Sequence, residues 1–477
     1  MDYTGPDKTA FYELLDCIGL PVGESASSVR LVGEPPVLDS PHRIGLAGSL
    51  ALLVQGAATA ALWEQRGGEP QEVSLEARDA VFALNPIPFF RRNGYLNWDL
   101  SQIRTPAMGY FPTRDGRVFF TSATYQKLLD GLLRELNCPN ERDAIAGAIA
   151  ARDSEDLEQM VTDAGLSGAT VRTAQEWRAH PHGRLVGTWP VVGVEKIGDA
   201  PPVPLTVADR PLDGIRVADV THVFAGPMLS RSLAEQGADV LHLAPLNARL
   251  ADPVPQTIVT GTGKRSAVLE FDADGTQVLS RLVRDADVLV QSWRPGVLSR
   301  RGLGPEGAAA LRPGIIYVSV SCFGFEGPWA HRGGFDPVAL AASGMTHDEA
   351  LRDTYKFSPP GILTDTIASY LGAGAVAATI ARRAREGGSW HVKLSLAGMA
   401  HWIQSLGLYP EGTPADDLGT PAVARMQSPF GILEYVPPAL RYSRSPAYLD
   451  KPPVPVGSSQ PQWLPKPSPH RTGTPRP

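Results

Sequence analysis

The chain has 477 residues, room for about three domains of roughly 150 residues, so a core can form without disulfides or a structural metal. Its 48 glycines and 44 prolines exceed the total of about 57 that average usage gives. No Gly-X-Y period runs through them and 43% of residues are apolar, which excludes collagen and global disorder. A net charge of −6 supplies no basic field for nucleic acid or anionic lipid, and three scattered cysteines without C-x-x-C spacing fit a reducing cytoplasm.

The first residues, MDYTGPDKTAFYELL, carry acids early and do not read as a signal peptide. Residues 44–63 then run uncharged for about the length of a bilayer span. Ala, Gly, Ser and Thr dominate that run, so a tightly packed buried helix is expected, with no membrane partner. An internal echo supports this. GAATAALWEQRGGEPQEVSLEARDAV, from Gly56, lies beside GAGAVAATIARRAREGGSWHVKLSLAGMA, from Gly372, with a gap of two residues. Each gives a small-residue helix, a charged last turn, a Gly-Gly stop and a strand. The later helix starts at Asp365, where the earlier one has only Gly45, Leu46 or Ala47.

Residues 1–84 thus read as a helix-and-strand segment from the middle of a first module. Residues 85–198 mix short strands such as GRVFFT with the amphipathic TYQKLLDGLLRELN, predicting a small α+β domain. A Pro-rich linker follows at 199–214. From Ile215 to about 400, strand, turn, helix and strand alternate through IRVADV, THVFAGP, MLSRSLAEQGA and DVLHLA, then DVLVQSW and GIIYVSVSCFG. That alternation predicts an α/β fold, a Rossmann-like parallel sheet with helices on both faces. Residues 401–477 are rich in proline, with little hydrophobic period, and predict an extended segment, loose at its last 20 or so residues or laid along another surface.

Three familiar motifs fail on context. RGLGPEG matches G-x-G-x-x-G without a preceding strand, and Gly372, Gly374 and Ala377 match a variant inside a helix. VTGTGKRS lacks the first glycine and the final Ser or Thr of a P-loop. No G-x-S-x-G elbow occurs, and His180 and His182 lack a third ligand, so they read as solvent-facing loop histidines and no metal is expected. Asp365, in PPGILTDTIASYLGAG, has two readings: a first-turn acid stabilised by the helix dipole, or a carboxylate nucleophile at the end of a parallel sheet.

The blocks PLDGIRVADVTHVFAGP, LAEQGADVLHL, GKRSAVLEF, DADVLVQSWRPGVLSRRGLG, IIYVSVSCFGFEGPWAHRGGFD and the Asp365 helix occur in fixed order between 211 and 400. In these the chain resembles the amino-terminal half of the family III CoA-transferases of CaiB/BaiF type, the group that includes formyl-CoA transferase, carnitine CoA-transferase and α-methylacyl-CoA racemase. Residues 45–205, with YFPTRDGRV and VRTAQEWRAHPHG, resemble the later part of such a module. The order of parts resembles a circular permutation.

The resemblance implies a CoA-transferase with coenzyme A or acyl-CoA as substrate, a carboxylic acid as acceptor, no tightly bound cofactor and an interlocked homodimer. It implies that Asp365 is the catalytic nucleophile, passing through a mixed anhydride and an aspartyl-CoA thioester. It places CoA against Val223, Phe224 and Ala225, against Lys264 and Arg265 as phosphate donors, and against Ser292, Trp293, Arg294 and Arg301 around the adenine. Read from the residues alone, Lys264 and Arg265 equally form a solvated turn and Trp293 a core ring. Phe335, expected in the substrate pocket, stands before Asp336 where the racemase branch has histidine, which favours transferase over racemase or lyase chemistry. The glycine-run loop of some transferases has no counterpart, which leaves a non-catalytic CoA-binding or structural module as the alternative.

Overall fold

A computed structural model describes residues 1–96, 105–247, 254–352 and 354–465. Near the N-terminus, β1 (Asp2–Thr4), β2 (Ser28–Val32) and β3 (Glu72–Glu76) form a parallel sheet. The uncharged run becomes the helix Ile44–Gln65, buried from Ile44 to Leu62. It packs on the helix Leu363–Glu386, its echo, as expected of two small-residue faces. A Cβ at Gly374 would lie 3.0 Å from the Gln55 Cα, so glycine sets the closeness of the pair.

Next come β4 (Arg91–Arg92) and β5 (Tyr95–Leu96), then an antiparallel sheet of β6 (Gly109–Pro112), β7 (Val118–Thr121) and β8 (Gly168–Thr170). Three helices, Gln126–Leu136, Arg142–Ala150 and Ser154–Asp163, join it around Phe111, Phe119, Leu132, Ile145 and Leu157, a core of their own. The proline-rich linker is held by arginines: Arg66 donates to the carbonyls of Thr206, Pro211 and Asp213, and Arg210 to those of Ala234, Glu235 and Tyr448.

The large sheet is built from β9 (Gly193–Gly198), β10 (Arg216–Val220), β11 (Asp239–Ala244), β12 (Arg265–Val268), β13 (Val288–Gln291), β14 (Ile316–Ser321) and β15 (Ser389–Ser395). Its order is β12-β11-β10-β13-β14-β15-β9, parallel except for β9. Both faces are covered: Val217, Val288, Val290 and Ile316 enter one core, and Ala218, Leu241, Leu289 and Tyr317 the other. The chain leaves β10 toward β11 on one side and returns to β13 on the other. That reversal opens a crevice at the carboxyl ends of β10 and β13, where doubly wound sheets take their ligands.

The structure divides the chain differently at two boundaries. β9, inside the 85–198 region, pairs with β15, so the small domain gives its last strand to the large sheet. The region after 400 first completes the helix Leu396–Ser405 and then forms β16 (Ala424–Ser428), β17 (Gly431–Tyr435) and β18 (Arg441–Tyr442). β17 pairs with β4 and β18 with β3, because strand residues lie between the proline clusters. Beyond them the chain follows β12: the Ser459 amide donates to Ser266, and Trp463 Nε1 to the Leu282 carbonyl. The final residues of the expected loose tail, 466–477, lie outside the described residues.

Candidate active site

Asp365 sits in the first turn of the helix Leu363–Glu386, 7% exposed. The turn into that helix uses Gly361 at φ +98°, a conformation that favours glycine. The capping role is taken by another acid. Asp336 Oδ1 accepts from the Thr364 amide at 2.6 Å and the Thr364 hydroxyl at 2.5 Å, which leaves Asp365 unneeded as a cap.

Burial, then the neighbouring Asp336, holds the Asp365 carboxyl well above the usual carboxylate range. Burial also raises Asp336, opposed by hydrogen bonds from Thr364 and from the amides of Asp365 and Leu363. Those donors favour charge on Asp336, and among the described residues Asp365 has no such set of donors. Among the described residues, Asp336 Oδ2 has no hydrogen-bond partner. The buried Cys322 thiol is pushed up by burial and by both carboxylates. The Phe335 ring stands 5.7 Å from Tyr125, so residues from the small domain flank the site.

One helical turn on, Ser369 donates to the Ala225 carbonyl at 2.8 Å, which ties the Asp365 helix to the crevice loop. Val223 in that loop has φ +68°, the only β-branched residue at positive φ among the described residues. Gln256 holds its carbonyl at 2.7 Å, and Phe224 is buried beneath. Across the crevice, Ser292 accepts from the His222 amide at 3.1 Å, and Trp293 Nε1 donates to the Val220 carbonyl at 2.6 Å. The His222 and Trp293 rings are 4.6 Å apart, and Phe271 meets the indole edge-on at 4.9 Å. Val223, Phe224, Ala225, Ser292 and Trp293 therefore converge. His222 completes the group and was missed, because a histidine between two strand ends has no local signature.

Four arginine and lysine assignments fare differently. Arg294 is near the crevice, donating to the Gly165 carbonyl at 2.7 Å and lying over Gly333. Arg301 donates to the carbonyls of Phe271 and Val297, so it braces the Trp293 loop. Lys264 is a correction: its ammonium is 2% exposed and bound to Asp219 at 3.0 Å, Ser230 at 2.8 Å and the Pro227 carbonyl. Burial of both charges requires that pairing and removes the lysine from phosphate duty. Arg265 is a second correction, at the start of β12, paired with Asp239 at 3.0 Å and away from the carboxyl ends of the strands. His180 and His182 are not solvent-facing either. His180 caps the helix Pro181–Val186, and His182 is fully buried among Trp177, Trp189, Phe323 and Trp329.

Residues 212–430 match the profile of CoA-transferase family III. The acetyl-coenzyme A transferase nodX of Hypoxylon pulicicidum is 29% identical over 381 residues, covering 73% of this chain and 63% of that protein. An acyl-CoA transferase of Gibberella moniliformis is 31% identical over 51% of this chain and 45% of its own length. The succinyl-CoA:glutarate CoA-transferase of Mus musculus is 32% identical over 37% and 43%. A solved CAIB/BAIF family protein from Brucella suis overlays 42% of this chain and 56% of its own at 26% identity and a TM-score of 0.38. The chain spans less than two thirds of the length of each of these relatives.

Proposed function

From the match of residues 212–430 to CoA-transferase family III, we propose that the chain moves CoA from an acyl-CoA thioester to a carboxylic acid, with Asp365 as nucleophile. The observation that carries this reading is the buried carboxylate pair at the head of one helix, in which Asp336 takes the capping donors and leaves Asp365 available.

Asp365 first gives its proton to solvent, to be taken back when the residue is restored; its ionised oxygen attacks the thioester carbonyl, the C–S bond breaks, and CoA thiolate leaves a mixed anhydride. The thiolate attacks the aspartyl carbonyl and expels the donor carboxylate, giving an aspartyl-CoA thioester. The acceptor carboxylate attacks that thioester, and the released thiolate attacks the acceptor carbonyl of the new anhydride. New acyl-CoA forms and Asp365 is restored, with no net proton consumed. Val223, Phe224, Ala225, Ser292, Trp293 and Arg294 hold CoA at the crevice, which enters as substrate, and no further cofactor is required. Phe335 borders the acyl group and offers no base for α-proton exchange, which supports transfer over racemisation. The working form is a cytoplasmic homodimer, and a monomer by light scattering at micromolar concentration would remove that part.

The test is a panel of acyl-CoA donors and carboxylate acceptors. The wild-type chain is expected to form new acyl-CoA and Asp365→Ala to form none. Transfer that survives in Asp365→Ala removes the nucleophile. A chain that binds no CoA favours the second reading, a non-catalytic module, which the missing glycine-run loop supports.

A further inference from the structure

The loop from β14 to the helix Asp336–Ser343 delivers Phe335 and Asp336 to the site, and one buried histidine grips its middle. His182 Nε2 lies 2.7 Å from the Phe323 carbonyl oxygen, and its Nδ1 lies 3.4 Å from the Trp329 amide nitrogen. A carbonyl can only accept and an amide N–H can only donate. The network therefore assigns the neutral tautomer in which Nε2–H donates to Phe323 and Nδ1 accepts from Trp329.

The loop is moulded on this ring. Gly324 and Gly327 both sit at φ +83°; a Cβ on Gly324 would strike Trp189, and one on Gly327 would lie 3.1 Å from His182 Nδ1. Farther along, Arg332 stacks 3.9 Å above Trp329 and donates to the Gly168 carbonyl of β8 at 2.9 Å. Gly333 passes under Arg294, and Gly334 packs on Cys322. From its grip to the carboxylates, the loop has contacts that fix one path.

We propose that His182 is a positioning residue for the acyl transfer: by holding Phe323 and Trp329 it sets the loop that brings Phe335 and Asp336 beside Asp365. The role rests on the reading of Asp365 as nucleophile. It also joins two parts of the chain, since His182 belongs to the region before the linker and the loop to the large-sheet domain.

The grip is pH-sensitive in one direction. Burial, aided by the Arg332 cation and opposed by the Phe323 carbonyl, keeps the imidazole below its ordinary range. His180, Arg332 and the Arg172–Glu158 ion pair are the charged or titratable groups around it. Protonation turns Nδ1 from an acceptor into a donor facing the Trp329 N–H, so acid releases the loop.

The experiment uses the full chain carrying His182→Phe or His182→Gln, with amide hydrogen exchange read beside CoA affinity and the rate of Asp365 acylation from pH 5 to 8. In His182→Phe, whose ring fills the same aromatic cage, Trp329 exchange is expected to rise and kcat to fall by about tenfold or more, with CoA affinity within about twofold. His182→Gln, which can both donate and accept, is expected to restore acylation to within about threefold and to flatten its acid limb. If His182→Phe fails to fold, His182→Gln carries the test through that limb. Unchanged exchange, or faster exchange with unchanged acylation, overturns the role. A wild-type chain that leaves Asp365 unmodified overturns the nucleophile reading and the role with it, and the exchange arm then decides whether the grip itself exists.

Discussion

The helices Ile44–Gln65 and Leu363–Glu386 are built alike, yet their heads differ. Both are buried small-residue rods, and each leads into a strand and a short helix. At the first head a Cβ on Gly45 would run into the Pro36 carbonyl, so the preceding loop plugs the space and no acid stands there. At the second, Asp336 caps the turn, Ser369 ties the helix to the crevice loop, and Asp365 is left without a capping role. The rod is a packing unit, and the two heads differ by what the neighbouring elements set before them.

Exchanging the two heads separates packing from chemistry. Asp365→Ala should lower transfer by at least about 10³-fold, about 4 kcal/mol of barrier, with CoA affinity nearly unchanged. Leu46→Asp should create no reactive carboxylate and should destabilise the fold by about 1–3 kcal/mol in urea, since its carboxyl would be buried without partners. Lys264→Met separates scaffold from ligand site. It should cost about 3–5 kcal/mol by stranding Asp219, while the folded fraction keeps its CoA affinity. A large loss of affinity at full stability would return Lys264 to the phosphate site. Gly374→Val should wedge the helix pair apart by its contact with Gln55 and cost about 1–3 kcal/mol.

The smallest effect is a pH-dependent one. The raised pKa of Asp365 means the folded chain holds a proton that the unfolded chain has released. Its stabilising share is complete below the unfolded value of 3.8 and is lost as pH rises through the higher folded value. Asp365→Asn has no such loss. Its Tm should exceed that of the wild type at pH 8, with the gap closing below about pH 4. A gap that widens in acid would mean Asp365 is ionised in the resting site.

Local pattern carried much of this architecture. Apolar runs such as DVLVQSW gave the parallel strands, and the uncharged stretch from Ile44 gave a buried helix. Asp365 was legible as a helix-start acid, and its reading as a nucleophile came only from resemblance. What escaped depends on distance in sequence. Asp336 meets the Asp365 turn from 28 residues away. Lys264 looks like a solvated turn until β10 brings Asp219 to 3.0 Å. His182 looks like a loop residue until Phe323 and Trp329 close over it. Side-chain pairing across elements is decided by the tertiary path, which residue spacing alone does not encode.

The most direct measurement is peptide mass spectrometry after incubating the wild-type chain with an acyl-CoA and trapping with hydroxylamine. One modified carboxylate per chain is expected, at Asp365, and none on the Ile44–Gln65 helix or in Asp365→Ala. An adduct that persists in Asp365→Ala, or one that forms on another residue of the wild-type chain, would contradict it.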